Sequence, residues 1–320
     1  MRLSKVVLFF TLFTCCRVSV AQVVDNLSSF KNMGNSYIRF HYDNDYFTKT
    51  DEFYTQGISL EYANPSIKKF PITKILYRPK ESDIKYGISI DHYAYTPTSI
   101  RSDDILYGDR PFCANLSLKI FSIATNSVKQ QRIATTFITG LMGPGAGGRE
   151  MQTSIHRWLK NVQPHGWQYQ IKNDLILDYQ INYEKKLWGY KNAFLLNATG
   201  EGRIGTHNDN LKAGFNFMVC NFNNPYKPAG TDKKFWYYLY GQFRGGLVGY
   251  DATLQGGLFN RQSPYTISAG DITRVTLQGD YGIVVSFGKM YLEYCQSILT
   301  TEFSTGTYHR WGGVRIGVAL

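Results

Sequence analysis

Tyr37-Ile38-Arg39-Phe40-His41-Tyr42-Asp43-Asn44-Asp45 is the stretch on which the fold turns. Ile38, Phe40 and Tyr42 fall on one side of an extended chain, and Arg39 and His41 on the other. A period of two marks a β-strand with one apolar and one polar face. The next segment repeats it, with Tyr54, Ile58, Leu60 and Tyr62 set against Thr55, Ser59 and Glu61. The closing segment does the same, since Val314, Ile316, Val318 and Leu320 oppose Arg315 and Gly317. Such segments predict twelve strands, near 35–43, 54–63, 85–93, 112–124, 130–142, 174–187, 191–204, 211–220, 235–249, 272–287, 289–301 and 308–320.

Several of these exceed the usual strand length of about five or six residues. Long alternating strands in even number, with aromatic-rich ends and a strand that closes the chain, predict an all-β fold: a twelve-stranded antiparallel transmembrane β-barrel. Leu320 departs from the terminal aromatic that many such barrels carry. Of 320 residues, 43% are hydrophobic and 15% aromatic, which excludes a disordered chain. No interior run approaches the roughly 20 apolar residues of a spanning helix, which excludes a helical membrane protein. A soluble sandwich leaves the aromatic excess and the terminal strand without a purpose.

The N-terminus reads as an export signal. Arg2 and Lys5 precede the apolar run Val6 to Phe13, and Ser19-Val20-Ala21 suits signal peptidase, so residues 1–21 are expected to be removed. Residues 22–320 then form the barrel domain. The formal charge of +11 falls to about +8 once Arg2, Lys5 and Arg17 leave. That surplus suits an anionic partner. Scattered basic residues and an export signal disfavour nucleic acid. Cys113, Cys220 and Cys295 lie too far apart for a disulfide framework or a metal motif.

With both termini periplasmic, loops after odd strands face outside, near 44–53, 94–111, 143–173, 205–210, 250–271 and 302–307. The stretches 64–84 and 221–234 are long for periplasmic turns, so the strand count is least secure there. In the third outer loop, Gly143-Pro144-Gly145-Ala146-Gly147-Gly148 interrupts any strand. Arg149 to Lys160 then predicts a short helix. Its Met151, Ile155, Trp158 and Leu159 make one apolar face, for which the barrel rim is the expected cover.

Three sets of residues suit chemistry. Asp43-Asn44-Asp45 ends the first strand, and Thr50 to Gly57 enters the second, which places Thr55 near Asp45. Carboxylates with an amide and a hydroxyl are hard oxygen donors suited to Ca²⁺; a polar turn held by Asx hydrogen bonds is the simpler reading of that motif. His156 on the loop helix is the third. A His beside such donors suits ester hydrolysis. No G-x-S-x-G elbow or H-E-x-x-H motif occurs.

Several ordered motifs together resemble the outer-membrane lipid A deacylase family over the whole mature chain. They are Asp43-Asn44-Asp45, Asp51 to Gly57, and Gly108-Asp109-Arg110. The longest is Gly143-Pro144…Ala146-Gly147-Gly148…Gln152…His156-Arg157…Pro164…Trp167…Gln170…Asn173. Thr253-Leu254-Gln255-Gly256 and Phe303…Thr305-Gly306 follow. The resemblance implies a twelve-stranded barrel with its site between the wall and a loop helix on the outer side. It implies His156, Asn44, Asp45 and Thr55 as catalytic residues, with His156 as general base on water. It also implies a Ca²⁺ near Asp45, and Asp43 is a second candidate ligand. Gln152, Arg110, Arg149 and Arg157 are candidate substrate contacts.

The expected activity is a 3′-O-deacylase-like ester hydrolysis of lipid A in the outer membrane of a Gram-negative bacterium, by a monomer. An outer-membrane phospholipase and an inert pore are the alternatives. One tension stands: strict alternation groups Asp43, Asp45 and Thr55 inward but Asn44 outward, which a bulge or a strand end near residue 44 would resolve.

Overall fold

A computed structural model describes residues 27–45, 53–227 and 234–320. The expected signal sequence, residues 1–21, lies outside the described residues, as do Asp51 and Glu52. Twelve strands run in chain order: β1 Tyr37–Asn44, β2 Phe53–Ala63, β3 Asp83–Thr96, β4 Cys113–Asn126, β5 Gln131–Met142 and β6 Asp174–Tyr190. They continue with β7 Phe194–Gly205, β8 Asn208–Asn221, β9 Phe235–Asp251, β10 Val275–Phe287, β11 Met290–Leu299 and β12 His309–Ala319. Every neighbouring pair is antiparallel, and β1 pairs with β12, Tyr37 opposite Ala319, so the sheet closes with no free edge. The long stretch between β2 and β3 holds no additional strand. It holds two 3₁₀ turns, Pro65–Lys69 and Pro71–Ile75.

The alternation is inverted relative to a soluble barrel. Ile38, Phe40, Leu60, Leu118, Phe243 and Ile316 lie exposed on the outer face. Arg39, Glu61, Asp91, Glu293 and Arg315 point into the lumen and are buried. An apolar exterior and a polar interior suit a wall that stands in lipid. Interior charges pair, as burial requires: Arg39 with Glu61 at 2.9 Å, Lys119 with Asp91 at 2.6 Å, Arg203 with Asp178 at 2.6 Å and Arg315 with Glu293 at 2.5 Å. No described helix is long and apolar enough to cross a membrane.

The chain before β1 fills the periplasmic end of the lumen. The Ser29 backbone N–H and hydroxyl donate to Glu184, and Phe30 stacks on Tyr240 with ring centroids 4.2 Å apart. Arg39 donates to the Lys31 carbonyl at 2.6 Å. Above this plug lies a polar cavity lined by Lys119, Glu201, Arg203, Lys212, Arg244 and Asp251 among others.

Two helical pieces occupy outer loops: α1, Gly148–Leu159, and the single turn α2, Ala252–Gln255. The first matches the predicted helix within one residue at each end. Its packing differs from expectation. The buried face is Gly148, Gln152 and His156, whereas Trp158 and Leu159 are exposed and Met151 and Ile155 only half-buried. Covering the rim is therefore the work of the polar, small-residue face.

Candidate active site

The third outer loop folds back over the outside of the wall. On β3, His92 and Ala94 share the outward side with Ile90, yet both are buried. On β4, Ala114 shares the outward side with Leu116 and Leu118, and it too is buried. The loop supplies the cover: His92 Nε2 meets the Ala146 carbonyl at 3.0 Å, and Gly148 sits against Ala114 and Trp167. A Cβ on Gly148 would lie 2.4 Å from the Ala114 Cβ, so only glycine lets α1 approach the wall this closely. Gly143 makes the turn into the loop at φ 99°, a left-handed value, with the Asn173 backbone packed against it.

A tether then holds the helix in place. The Trp167 indole N–H donates to Gln152 Oε1 at 2.7 Å, and Gln152 Nε2 donates to Thr55 Oγ1 at 3.1 Å. Thr55 is available outside because β2 carries a bulge. Tyr54 pairs with Tyr95 and Gln56 with Ala94, which leaves Thr55 as the extra residue. The bulge corrects the expected alternation: Tyr54 joins the lumen, not the face of Ile58 and Leu60, while Thr55 leaves the inward set.

The same geometry settles the tension at residue 44. Thr55 meets Gln152 on the outer face, and the outward position of Asn44, at the end of β1, brings it to that same face. The Asn44 side-chain amide donates to the Thr55 carbonyl. Asp45 follows directly and is buried. Asp43 turns inward instead. It accepts from the Tyr54 hydroxyl at 2.6 Å and lies 2.6 Å from His41 Nε2, so this candidate metal ligand is spent inside the wall.

His156 is one helical turn beyond Gln152 on the buried face. The helix ends in a Schellman motif: Lys160 is left-handed at φ 54°, Lys160 N–H bonds the Arg157 carbonyl and Asn161 N–H bonds the His156 carbonyl. The reversed chain brings the Val162 carbonyl to 2.5 Å from His156 Nδ1. A carbonyl only accepts, so Nδ1 carries a proton, and in the neutral imidazole the lone pair falls on Nε2. Among the described residues Nε2 has no partner.

Not every candidate joins this cluster. Arg149 and Arg157 are exposed on α1 and take no part in the tether. Arg110 is not at that surface. It is buried between three outer loops, where it pairs with Glu302, donates to Thr253 Oγ1 at 2.7 Å and stacks over the Tyr95 ring at 4.1 Å. Thr253 in turn donates to Asp251 at 2.6 Å. Nearby, the Tyr265 hydroxyl accepts from Gly108 N–H at 2.7 Å and donates to the Asp109 carbonyl at 2.9 Å. The Gly108-Asp109-Arg110 and Thr253-Leu254 motifs thus build a clasp over the barrel mouth. Burial lifts the Glu302 carboxyl to about 7, despite the attraction of Arg110.

The residues that sequence reasoning passed over are His92, which anchors the loop, Trp167, which holds Gln152, and Val162, which orients His156. Trp167 stood in the motif without a role. A backbone carbonyl such as that of Val162 leaves no trace in side-chain identity.

The donor types at Asp45, Asn44 and Thr55 are hard oxygens of the kind Ca²⁺ takes, and carbonyls and water commonly complete its shell of six to eight ligands. Among the described residues, no three or more His, Cys, Asp or Glu side chains surround a common point. A cation here would rest on Asp45 as its charged ligand.

Comparison with known proteins agrees with this architecture. Residues 7–320 match the family model described as outer membrane protein LpxR. Among solved structures, LpxR from Salmonella typhimurium aligns with a TM-score of 0.74 at 19% identity, covering 89% of this chain and 100% of that one. The beta domain of the Bordetella autotransporter BrkA aligns at a TM-score of 0.45 and 8% identity, over 90% of this chain and 100% of that one. A search of curated protein sequences found no match. With nearly its whole length matched by that model, the chain belongs to the LpxR family of outer-membrane proteins.

Proposed function

We propose that this protein is an outer-membrane ester hydrolase that removes an acyl chain from lipid A, with His156 as general base. The observation that carries the reading is the Val162 carbonyl at His156 Nδ1. It leaves Nε2 as a proton acceptor on the one face of α1 that is held against the outside of the wall. A base facing the outside of a lipid-embedded barrel meets lipid, not periplasmic solute.

In this mechanism Nε2 takes a proton from a water molecule as its oxygen adds to the ester carbonyl carbon. The imidazolium so formed is stabilised by the Val162 carbonyl. The carbon–oxygen bond to the sugar then breaks, and the departing sugar oxygen takes the proton back from Nε2. The products are a fatty acid and a lipid with a free hydroxyl. Asn44 and Thr55 hold the wall side of the site in register with α1. A Ca²⁺ held at Asp45 would supply positive charge to the developing oxyanion. Arg149 and Arg157, both exposed beside the site, suit the phosphates of lipid A. The filled periplasmic end of the lumen disfavours a pore.

The test is mass spectrometry of lipid A from cells carrying the wild type or His156→Ala. Loss of one acyl chain is expected with the wild type only. Equal loss with both removes His156 from the mechanism, and no loss with either removes the activity.

A further inference from the structure

The apolar residues of α1 lack a protein partner where one was expected. Trp158 is 81% exposed and Leu159 57%. Met151 and Ile155 share their flank of the helix and are half-buried. Three basic residues of the same segment, Arg149, Arg157 and Lys160, are exposed around the rest of its surface. A helix with Trp and Leu on one flank and Arg and Lys elsewhere has the make-up of an interfacial helix, which lies in the headgroup layer with its apolar side toward the acyl chains.

The position of α1 on the barrel names the occupant. Its cover of the wall ends at His92 on β3 and Ala114 on β4. Two residues further down each strand, on the same outward side, stand Ile90, 54% exposed, and Leu116, 41% exposed. These belong to the lipid-facing band. The apolar flank of α1 is therefore adjacent to, and continuous with, a surface already committed to lipid.

We propose that Met151, Ile155, Trp158 and Leu159 insert into the upper acyl region of the outer leaflet, with Arg149, Arg157 and Lys160 on lipid phosphates. The insertion makes α1 a lip between bilayer and site, so that an acyl chain slides laterally beneath it toward His156. Lateral access rests on the deacylase reading, whereas insertion itself does not.

The experiment uses the full chain folded into vesicles of phosphatidylglycerol and phosphatidylcholine. Tryptophan emission is compared for wild type and Trp158→Phe, which keeps the flank apolar. Their difference isolates Trp158 from the other four tryptophans. Lipids brominated on the acyl chain are expected to remove at least about half of that difference signal, and aqueous iodide little of it. Quenching by iodide without quenching by bromolipid overturns the proposal, because the flank then lies in water. Quenching by neither also overturns it, because protein, such as a second copy, then covers the flank. Emission needs no turnover, so the result stands whether or not lipid A is hydrolysed.

Discussion

Gln152 Nε2 donates to Thr55 Oγ1 at 3.1 Å across 97 residues of sequence. One side chain belongs to a loop helix and the other to a bulge in the barrel wall. Their bond makes a single site from two elements that sequence distance keeps apart. The Trp167 indole completes the tether by occupying the other end of the same amide.

A tether predicts a particular pattern of losses. Gln152→Leu breaks two buried hydrogen bonds, each worth about 1 kcal/mol net, and frees α1 to shift against the wall. A displacement of about 1 Å at the base can cost about a hundredfold in rate. The expected result is a fall of about tenfold to a hundredfold in kcat, with little change in melting temperature. Thr55→Val breaks the same bond from the other side. If the bond is their shared role, the double variant is no slower than the worse single one. Additive losses would give the two residues separate tasks.

Calcium dependence is the expectation that the proposed role of Asp45 carries. A chelator is expected to abolish acyl release, and added Ca²⁺ to restore it. Asp45→Asn removes the charged ligand and should raise the Ca²⁺ concentration for half activity by at least about tenfold. Full activity in chelator would take the metal out of the reaction and leave Asp45 as a partner of water or protein.

The clasp over the barrel mouth should respond to pH. Burial raises the folded-state value of Glu302 from 4.5 to about 7. Such a carboxyl takes up a proton on folding between those values. Its contribution to stability is therefore greatest below about pH 4.5 and falls as the pH rises through about 7. The melting temperature of the wild type in detergent should decline over this window more steeply than that of Glu302→Gln, which has no proton to exchange. Parallel slopes would mean that Arg110 holds Glu302 ionised throughout.

Period-two alternation is a local property, and the sequence carried it in full. It is readable in Tyr37 to Tyr42 without any knowledge of what the strand touches. From it came the twelve strands, the loops between them and the end of the barrel at which the motifs meet. The predicted α1 was legible for the same reason, because its period and the glycines before it are local. What the helix would bury was not legible. An apolar flank predicts burial in water, yet beside a lipid-facing wall it remains exposed, and the polar flank with Gln152 and His156 packs inward.

The phase of the alternation also needed the tertiary structure. One extra residue at Thr55 reverses the faces on either side of it, and nothing in Tyr54-Thr55-Gln56 announces the reversal. The same fact decides between Asp43 and Asn44: adjacent residues on a strand point apart, so only one of them can face a site on the outside of the wall. Arg110 shows the limit from another direction. Its charge was plain in the sequence, but its partners Glu302 and Thr253 lie 192 and 143 residues away. Sequence determined which groups stand at the outer end of the barrel. Packing across closed strands and folded-back loops determined which of them face lipid, which face the lumen and which are spent on one another.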